Sequence, residues 1–291
     1  MTRIAIVAPS GAICDEYLVE GVSVLRGLGF DVTLMPHVGK GSCGVFSATD
    51  EERAEDLYSA LTQPGIDIVL CTRGGYGAVR TLQKLPQDLF SKIDDRLVVG
   101  FSDITAIHSM LTLAGRKSIH GPMLKHIATH STDSLDIKTL LGIFSGEGVK
   151  ITLANNTLNR YGQSEGVLVG GNLSILYSLR GTPADVLSEP EGKILFIEDL
   201  AEYNYHIDRM MQNLRYSGVL GKISGLIVGQ FTDIKEGRTP FGASVYEVIR
   251  DAMEGTSCPI LFGYPAGHQD DINCPLRLGA RCRIDGLTIE N

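Results

Sequence analysis

Short apolar β-forming runs alternate with amphipathic helical stretches from Arg3 to Gly100, and few architectures accommodate that order. Arg3–Ala8 is a β run closed by Pro9-Ser10-Gly11. Tyr17–Leu28 has helical spacing and stops at Gly29, a favourable C-terminal residue. Phe30–Met35 reads as a second strand, and Thr49 with Glu52 forms a capping-box signature ahead of a helix to about Thr62. Ile66–Cys71 is a third strand, followed by the glycine-rich Arg73-Gly74-Gly75-Tyr76-Gly77 and a helix through Leu82. Arg96–Gly100 is a fourth strand that runs into Ser102. This alternation predicts right-handed βαβ units and a parallel sheet covered on both faces. Ligands of such sheets bind beyond the carboxyl ends of the strands, where Gly74–Gly77 and Ser102 fall.

Past His120-Gly121-Pro122 the pattern weakens, with one helical piece at Leu135–Phe144. The expected organisation is a parallel α/β domain over 1–130, a connection over 131–164 and a second domain over 165–291. In that second region Gly166–Val169 reads as a strand, Gly170-Gly171-Asn172 as a tight turn and Leu173–Leu179 as a short helix. Lys193–Glu198 is a strand ending in the acidic pair Glu198-Asp199. Ile207, Met210, Met211 and Leu214 follow helical spacing and read as a face packed on a sheet. Ile223–Gly229 is a strand, Val245–Met253 a helix, and Ile260–Gly263 leads into Tyr264-Pro265-Ala266-Gly267-His268. The tail (Pro275–Leu278, Arg281–Ile284, Leu287–Ile289) reads as short β-strands joined by glycine turns.

A formal net charge of −8 provides no basic stripe for phosphates, so no nucleic-acid partner is expected. No apolar run reaches membrane-spanning length, and the N-terminal segment has no secretory pattern, so the expected location is cytoplasmic. The six cysteines (Cys14, Cys43, Cys71, Cys258, Cys274, Cys282) form no C-x-x-C pair, which argues against a disulfide framework and a zinc site. Cys71, inside an apolar strand, reads as a small core residue. Neither a metal nor a cofactor is expected.

Serine hydrolysis needs a hydroxyl, an imidazole to take its proton, a carboxylate to orient the imidazole, and N–H donors for the oxyanion. Ser102 sits at a strand–turn–helix corner, where it is either a nucleophile or a helix N-cap. Glu198 ends an apolar strand, a costly place for a carboxylate unless it is paired or faces a cleft; it is otherwise a surface acid. His268 is a loop residue just past a strand. The three glycines after Cys71 present backbone N–H groups for an anion, or they make a plain turn. The loop lacks a Gly-Lys-Ser/Thr ending, so it is not a P-loop. His126 and His130 are spaced as zinc ligands on a helix would be, but no H-E-x-x-H pattern accompanies them. His120 reads as a turn residue, Asp103 as a helix cap, and Asp270 and Asp271 as solvated acids or orienters of His268.

Thr72-Arg73-Gly74-Gly75-Tyr76-Gly77, Gly100-Phe101-Ser102-Asp103, His120-Gly121-Pro122-Met123 and Gly170-Gly171-Asn172-Leu173 come in an order that resembles the LD-carboxypeptidase family. Ile197-Glu198-Asp199 and Gly267-His268 continue the series, so the resemblance spans nearly the whole chain. It implies an N-terminal parallel-sheet α/β domain resembling class I glutamine amidotransferases, a smaller β-rich C-terminal domain, and a homodimer. It also implies a metal-independent Ser–Glu–His peptidase, carried onto Ser102, Glu198 and His268. The family's oxyanion hole would fall on the backbone N–H groups of Gly75 and Asp103. The implied substrate is a murein tetrapeptide or muropeptide, cleaved between its diamino acid and terminal D-alanine during peptidoglycan recycling. Arg73 and Gly74 are candidates for holding the terminal carboxylate. Gly100-Phe101-Ser102-Asp103-Ile104 lacks the second glycine of the lipase-type elbow.

Two other readings compete. A microcin-immunity-like peptidase would cleave a peptidyl- or aminoacyl-nucleotide with the same triad, but that branch uses a tryptophan-containing aromatic clamp and this chain has no tryptophan. A non-catalytic muropeptide-binding protein would keep the fold without turnover. A glutamine amidotransferase is disfavoured because the corner residue is Ser102 and not cysteine.

Overall fold

The computed structural model describes residues 1–41, 44–269 and 271–291; Cys43 and Asp270 lie outside them. Its strands, in chain order, are β1 (Arg3–Val7), β2 (Asp31–Leu34), β3 (Ile68–Cys71), β4 (Leu97–Gly100), β5 (Ser118–His120), β6 (Lys150–Thr152), β7 (Gln163–Asn172), β8 (Lys193–Leu200), β9 (Gly225–Thr232), β10 (Ile260–Phe262), β11 (Leu276–Leu278), β12 (Arg281–Asp285) and β13 (Thr288–Glu290). They form two sheets in two compact units. One unit is Met1–Phe144 with Cys274–Gly279; the other is Ser145–Asn273 with Ala280–Asn291.

The first unit's sheet has the order β11-β5-β4-β3-β1-β2, parallel except for the antiparallel β11–β5 pair. The central runs Ile4–Val7, Ile68–Cys71 and Val98–Val99 are buried, as strands covered on both faces must be. Helices Asp15–Gly27, Asp50–Thr62, Ala78–Leu82 and Thr105–Leu113 lie between these strands in the chain. The capping box is formed: Thr49 Oγ1 accepts from Glu52 N, and the Glu52 carboxylate accepts from Thr49 N. The chain leaves β1 to one side for β2 and to the other for β3. The carboxyl ends of β1 and β3 therefore flank a topological switch point.

The second unit's sheet has the order β10-β9-β8-β7-β12-β13-β6, with β7 to β10 parallel and the rest antiparallel. Ile207, Met210, Met211 and Leu214 of helix Asn204–Tyr216 pack with Leu195, Ile197, Leu226 and Val228 in one apolar core.

The structure departs from the sequence pattern in several places. The 131–164 stretch is shared: Leu135–Phe144 is a helix of the first unit, and β6 pairs with β13 in the second. His120 is the last residue of β5 and not part of a turn. Gly170-Gly171-Asn172 is not a tight turn but the end of β7, paired with Phe196, Ile197 and Glu198 of β8. A Cβ on Gly170 would lie 1.9 Å from the Phe196 carbonyl oxygen, so the strand closes on β8 only because that residue has no side chain. The short helices Leu89–Lys92 and Leu124–Thr129 carry too few turns for their periodicity to be read.

Candidate active site

In the first unit, β4 ends at Gly100, whose carbonyl accepts from Gly121 N at 3.1 Å and from the His108 ring Nε2 at 2.8 Å. Full burial holds the His108 pKa down to about 4, so its ring is the neutral Nε2–H form. This clamp fixes the residues that follow. Ser102 takes a left-handed backbone with φ +63°, which costs a non-glycine residue on the order of 1 kcal/mol and marks a constrained corner. Ser102 opens a short 3-10 turn, Ser102–Ile104, ahead of helix Thr105–Leu113. Phe101 holds the N-cap position with no side-chain cap, so Ser102 is not an N-cap.

Asp103 does not cap its own helix either. Its buried carboxylate accepts from Ser10 Oγ at 2.5 Å and from Ala78 N, the first residue of helix Ala78–Leu82, at 2.8 Å. Burial pushes this carboxyl above the usual range, against the pull of those two donors. Asp103 thus ties the loops after β1, β3 and β4 together at the switch point.

The glycine loop is pressed onto the same corner. A Cβ on Gly74 would lie 2.8 Å from Ser102 Cβ and 2.9 Å from Ser102 Oγ, so only glycine permits the approach. The Gly74 carbonyl accepts from Gly11 N at 3.1 Å. Gly75, at φ +111°, follows, and its N–H meets no acceptor among the described residues. The Asp103 N–H lies in the first turn of the 3-10 segment, where backbone donors have no intrahelical partner. Arg73 is exposed, and its Nη1 donates to the Ala12 carbonyl at 3.2 Å.

In the second unit, Ile194–Ile197 of β8 are buried, and so is Glu198. The β8–β9 register shifts between Ile197 and Asp199, so that Gly229 and Gln230 of β9 bulge opposite the single residue Glu198 near the carboxyl end of β8. Glu198 Oε2 meets His268 Nδ1 at 2.7 Å. Burial works against the His268 imidazolium, but the Glu198 charge and hydrogen bond, with Asp199 behind them, outweigh it and raise the pKa. This pairing supplies the partner that a buried carboxylate requires.

Sequence reading named Asn172 and Asp199 without giving either a role, and missed Gln230, Gln269 and Asn273. Asp199, next to Glu198, accepts from Asn172 Nδ2 at 2.9 Å and from Ser174 N at 2.8 Å; burial, then the Glu198 charge, push its carboxyl up to about 7. Gln230, near the end of β9, donates to Gln269 Oε1 at 2.6 Å and accepts from Gln269 N at 3.2 Å. Asn273 Oδ1 accepts from Gly267 N at 3.1 Å. One signal was available for Gln230: an amide at the carboxyl end of the run Leu226-Ile227-Val228, the same kind of interruption that singled out Glu198.

The remaining candidates have structural partners. His130 Nδ1 meets Asp136 Oδ2 at 2.7 Å, the His126 ring accepts from Met123 N at 3.4 Å, and the buried His120 ring lies 5.6 Å from that of Phe101. Asp271 is exposed. Among the described residues Cys14, Cys71, Cys258, Cys274 and Cys282 are free thiols, and no group of three or more His, Cys, Asp or Glu is placed to hold a metal ion.

The sequence matches the model of the LD-carboxypeptidase N-terminal domain over residues 4–121 and that of the C-terminal domain over 165–284. The murein tetrapeptide carboxypeptidase of Pseudomonas aeruginosa is 30% identical over 91% of this chain and 88% of its own. A solved muramoyltetrapeptide carboxypeptidase from Oxalobacter formigenes superposes with a TM-score of 0.88 at 30% identity, covering 99% of this chain and 97% of that one. The microcin C7 self-immunity protein of Escherichia coli is 26% identical over 96% of this chain and 88% of its own. With both domain models matched in order over most of its length, this chain belongs to the LD-carboxypeptidase family.

Proposed function

We propose that the protein is a metal-independent serine LD-carboxypeptidase that removes terminal D-alanine from murein tetrapeptides in peptidoglycan recycling, acting in the cytoplasm as a homodimer. The observation that carries this reading is the 2.7 Å contact between His268 Nδ1 and the buried Glu198 carboxylate. A carboxylate on Nδ1 holds the ring with its lone pair on Nε2, the form needed to accept a hydroxyl proton. In the proposed reaction Nε2 of His268 takes the Ser102 proton as Oγ attacks the scissile carbonyl. The Gly75 and Asp103 N–H groups stabilise the oxyanion, and His268 then protonates departing D-alanine. Water, activated by the same ring, releases the tripeptide from Ser102. Arg73 and the Gly74 backbone would hold the terminal carboxylate, since a carboxypeptidase must recognise that charge.

Incubation with a tetrapeptide ending in diaminopimelate–D-alanine is expected to release D-alanine. Ser102→Ala should lower the rate by ~10⁴-fold or more while leaving the fold intact. A purified Ser102→Ala protein with undiminished turnover would refute the nucleophile. Similarity to the microcin self-immunity protein keeps a second reading in play, a microcin-immunity-like peptidase acting on an aminoacyl- or peptidyl-nucleotide as the sequence resemblance suggests, and the same assay run on that compound separates the two. A fluorophosphonate that fails to label Ser102, together with tetrapeptide binding but no turnover, would point to a non-catalytic binding protein.

A further inference from the structure

Two buried side chains hold the loop that carries His268: Asn273 takes the Gly267 N–H, and Gln230 reaches it from the neighbouring strand β9. The Gln230 amide makes two bonds to one residue, accepting from Gln269 N at 3.2 Å and donating to Gln269 Oε1 at 2.6 Å. Its own backbone N–H donates to the Ala266 carbonyl at 2.9 Å. Gln230 therefore grips the chain two residues before His268 and one residue after it. Gly267 completes the fit: at φ +145°, a Cβ there would lie 2.9 Å from Gln230 Cβ and 3.2 Å from its Oε1. The preceding residue in the same grip is Gly229, where a Cβ would lie 2.5 Å from the Ala266 carbonyl oxygen.

A surface loop needs no such arrangement. Gln230 is nine-tenths buried, and an amide buried without partners is strongly disfavoured, so its satisfied donor and acceptor favour one loop position. The only titratable side chain the loop carries between Ala266 and Gln269 is His268. We propose that Gln230 is a positioning residue that sets the His268 ring against Glu198 by bracketing its backbone. This rests on His268 acting as the base in the function proposed above. Displacing a reacting group by about 1 Å costs ~10²-fold in rate, so loosening the bracket should be felt in turnover before binding.

The test is Gln230→Met, similar in length and unable to hold either bond, beside Gln230→Glu. In the latter, a flipped Gln269 amide can donate to the new carboxylate while Gln269 N keeps its acceptor. On murein tetrapeptide, Gln230→Met is expected to lower kcat by ~10- to 100-fold with KM within about threefold, and Gln230→Glu to recover most of the loss. Side-chain NMR of ¹⁵N-histidine-labelled protein provides a readout independent of substrate. The His268 pKa should fall in Gln230→Met as its contact with Glu198 loosens, and return in Gln230→Glu. If Gln230→Met does not fold, Gln269→Ala removes the side-chain bond from an exposed residue and should lower kcat and the His268 pKa in the same direction. Wild-type kcat and an unchanged His268 titration in a folded variant would overturn the proposal. Wild-type protein that turns over no tetrapeptide, yet whose His268 titration responds to Gln230→Met, would sink the substrate assignment and leave the bracket standing.

Discussion

His268 is pulled in two directions, and the acids win: burial disfavours its imidazolium, while Glu198 and Asp199 favour it. A base with a raised pKa stays protonated to higher pH, so the acidic limb of kcat/KM should lie above that of an ordinary imidazole. Glu198→Gln keeps an acceptor but removes the charge. It is expected to move that limb to lower pH and to cut kcat by ~10⁴-fold, as read from a pH–rate profile; a limb that does not move contradicts the assigned pair. Asp199 adds an effect on stability. Its carboxyl, pushed up to about 7, binds a proton more tightly in the folded than in the unfolded chain. The stabilisation is therefore complete at acidic pH and is lost as pH rises from the ordinary aspartate range through about 7. Urea midpoints measured across that interval should fall in the wild type and flatten in Asp199→Asn. Gly74→Ala acts differently, because its new Cβ would meet Ser102 at 2.8 Å: a large loss of turnover is expected, with the loop forced off the corner.

Elements were legible where pattern and punctuation agreed. The central parallel strands β1, β3 and β4 of the first unit carry unbroken apolar runs, and helix Asp50–Thr62 announces itself through Thr49 and Glu52. Thr49→Ala removes that cap and should cost about 1 kcal/mol in denaturant unfolding. Ser102 and Glu198 stood out because each interrupts an apolar strand at its end, and His268 because it follows a β run and Pro-Ala-Gly, but grouping them rested on the resemblance to the LD-carboxypeptidase family and not on local pattern. The rest depends on partners far apart in the chain. Nothing local distinguishes an Asp103 that caps its own helix from one that caps Ala78–Leu82 through a 2.8 Å bond. Glycines misled at the end of β7, where composition suggests a turn and the real demand is close strand approach. Gly170→Ala, with φ +133° and a Cβ 1.9 Å from a carbonyl oxygen, should split β7 from β8 and destabilise by more than about 3 kcal/mol, or prevent folding.

At the scale of the molecule, the division into units does not follow chain order. After the second unit is nearly complete, the chain returns to the first for Cys274–Gly279 and pairs β11 with β5 before leaving again. Leu276 and Leu278 are buried there, and burial of each is worth about 2 kcal/mol. Pro275 packs on Gly121, where a Cβ would lie 2.8 Å from the proline ring. A fragment ending at Phe144 lacks this strand and exposes β5 as an open edge. Expressed alone, it should aggregate or show lost near-ultraviolet ellipticity, and a soluble, cooperatively unfolding fragment would contradict that expectation. The LD-carboxypeptidase C-terminal domain model, covering 165–284, includes β11, although β11 builds the first sheet. A gene exchange cut between the two halves would therefore carry away a strand that the donor still needs and deliver one shaped for a different edge. Such a chain can diversify its loops freely, but its halves must be inherited as a pair.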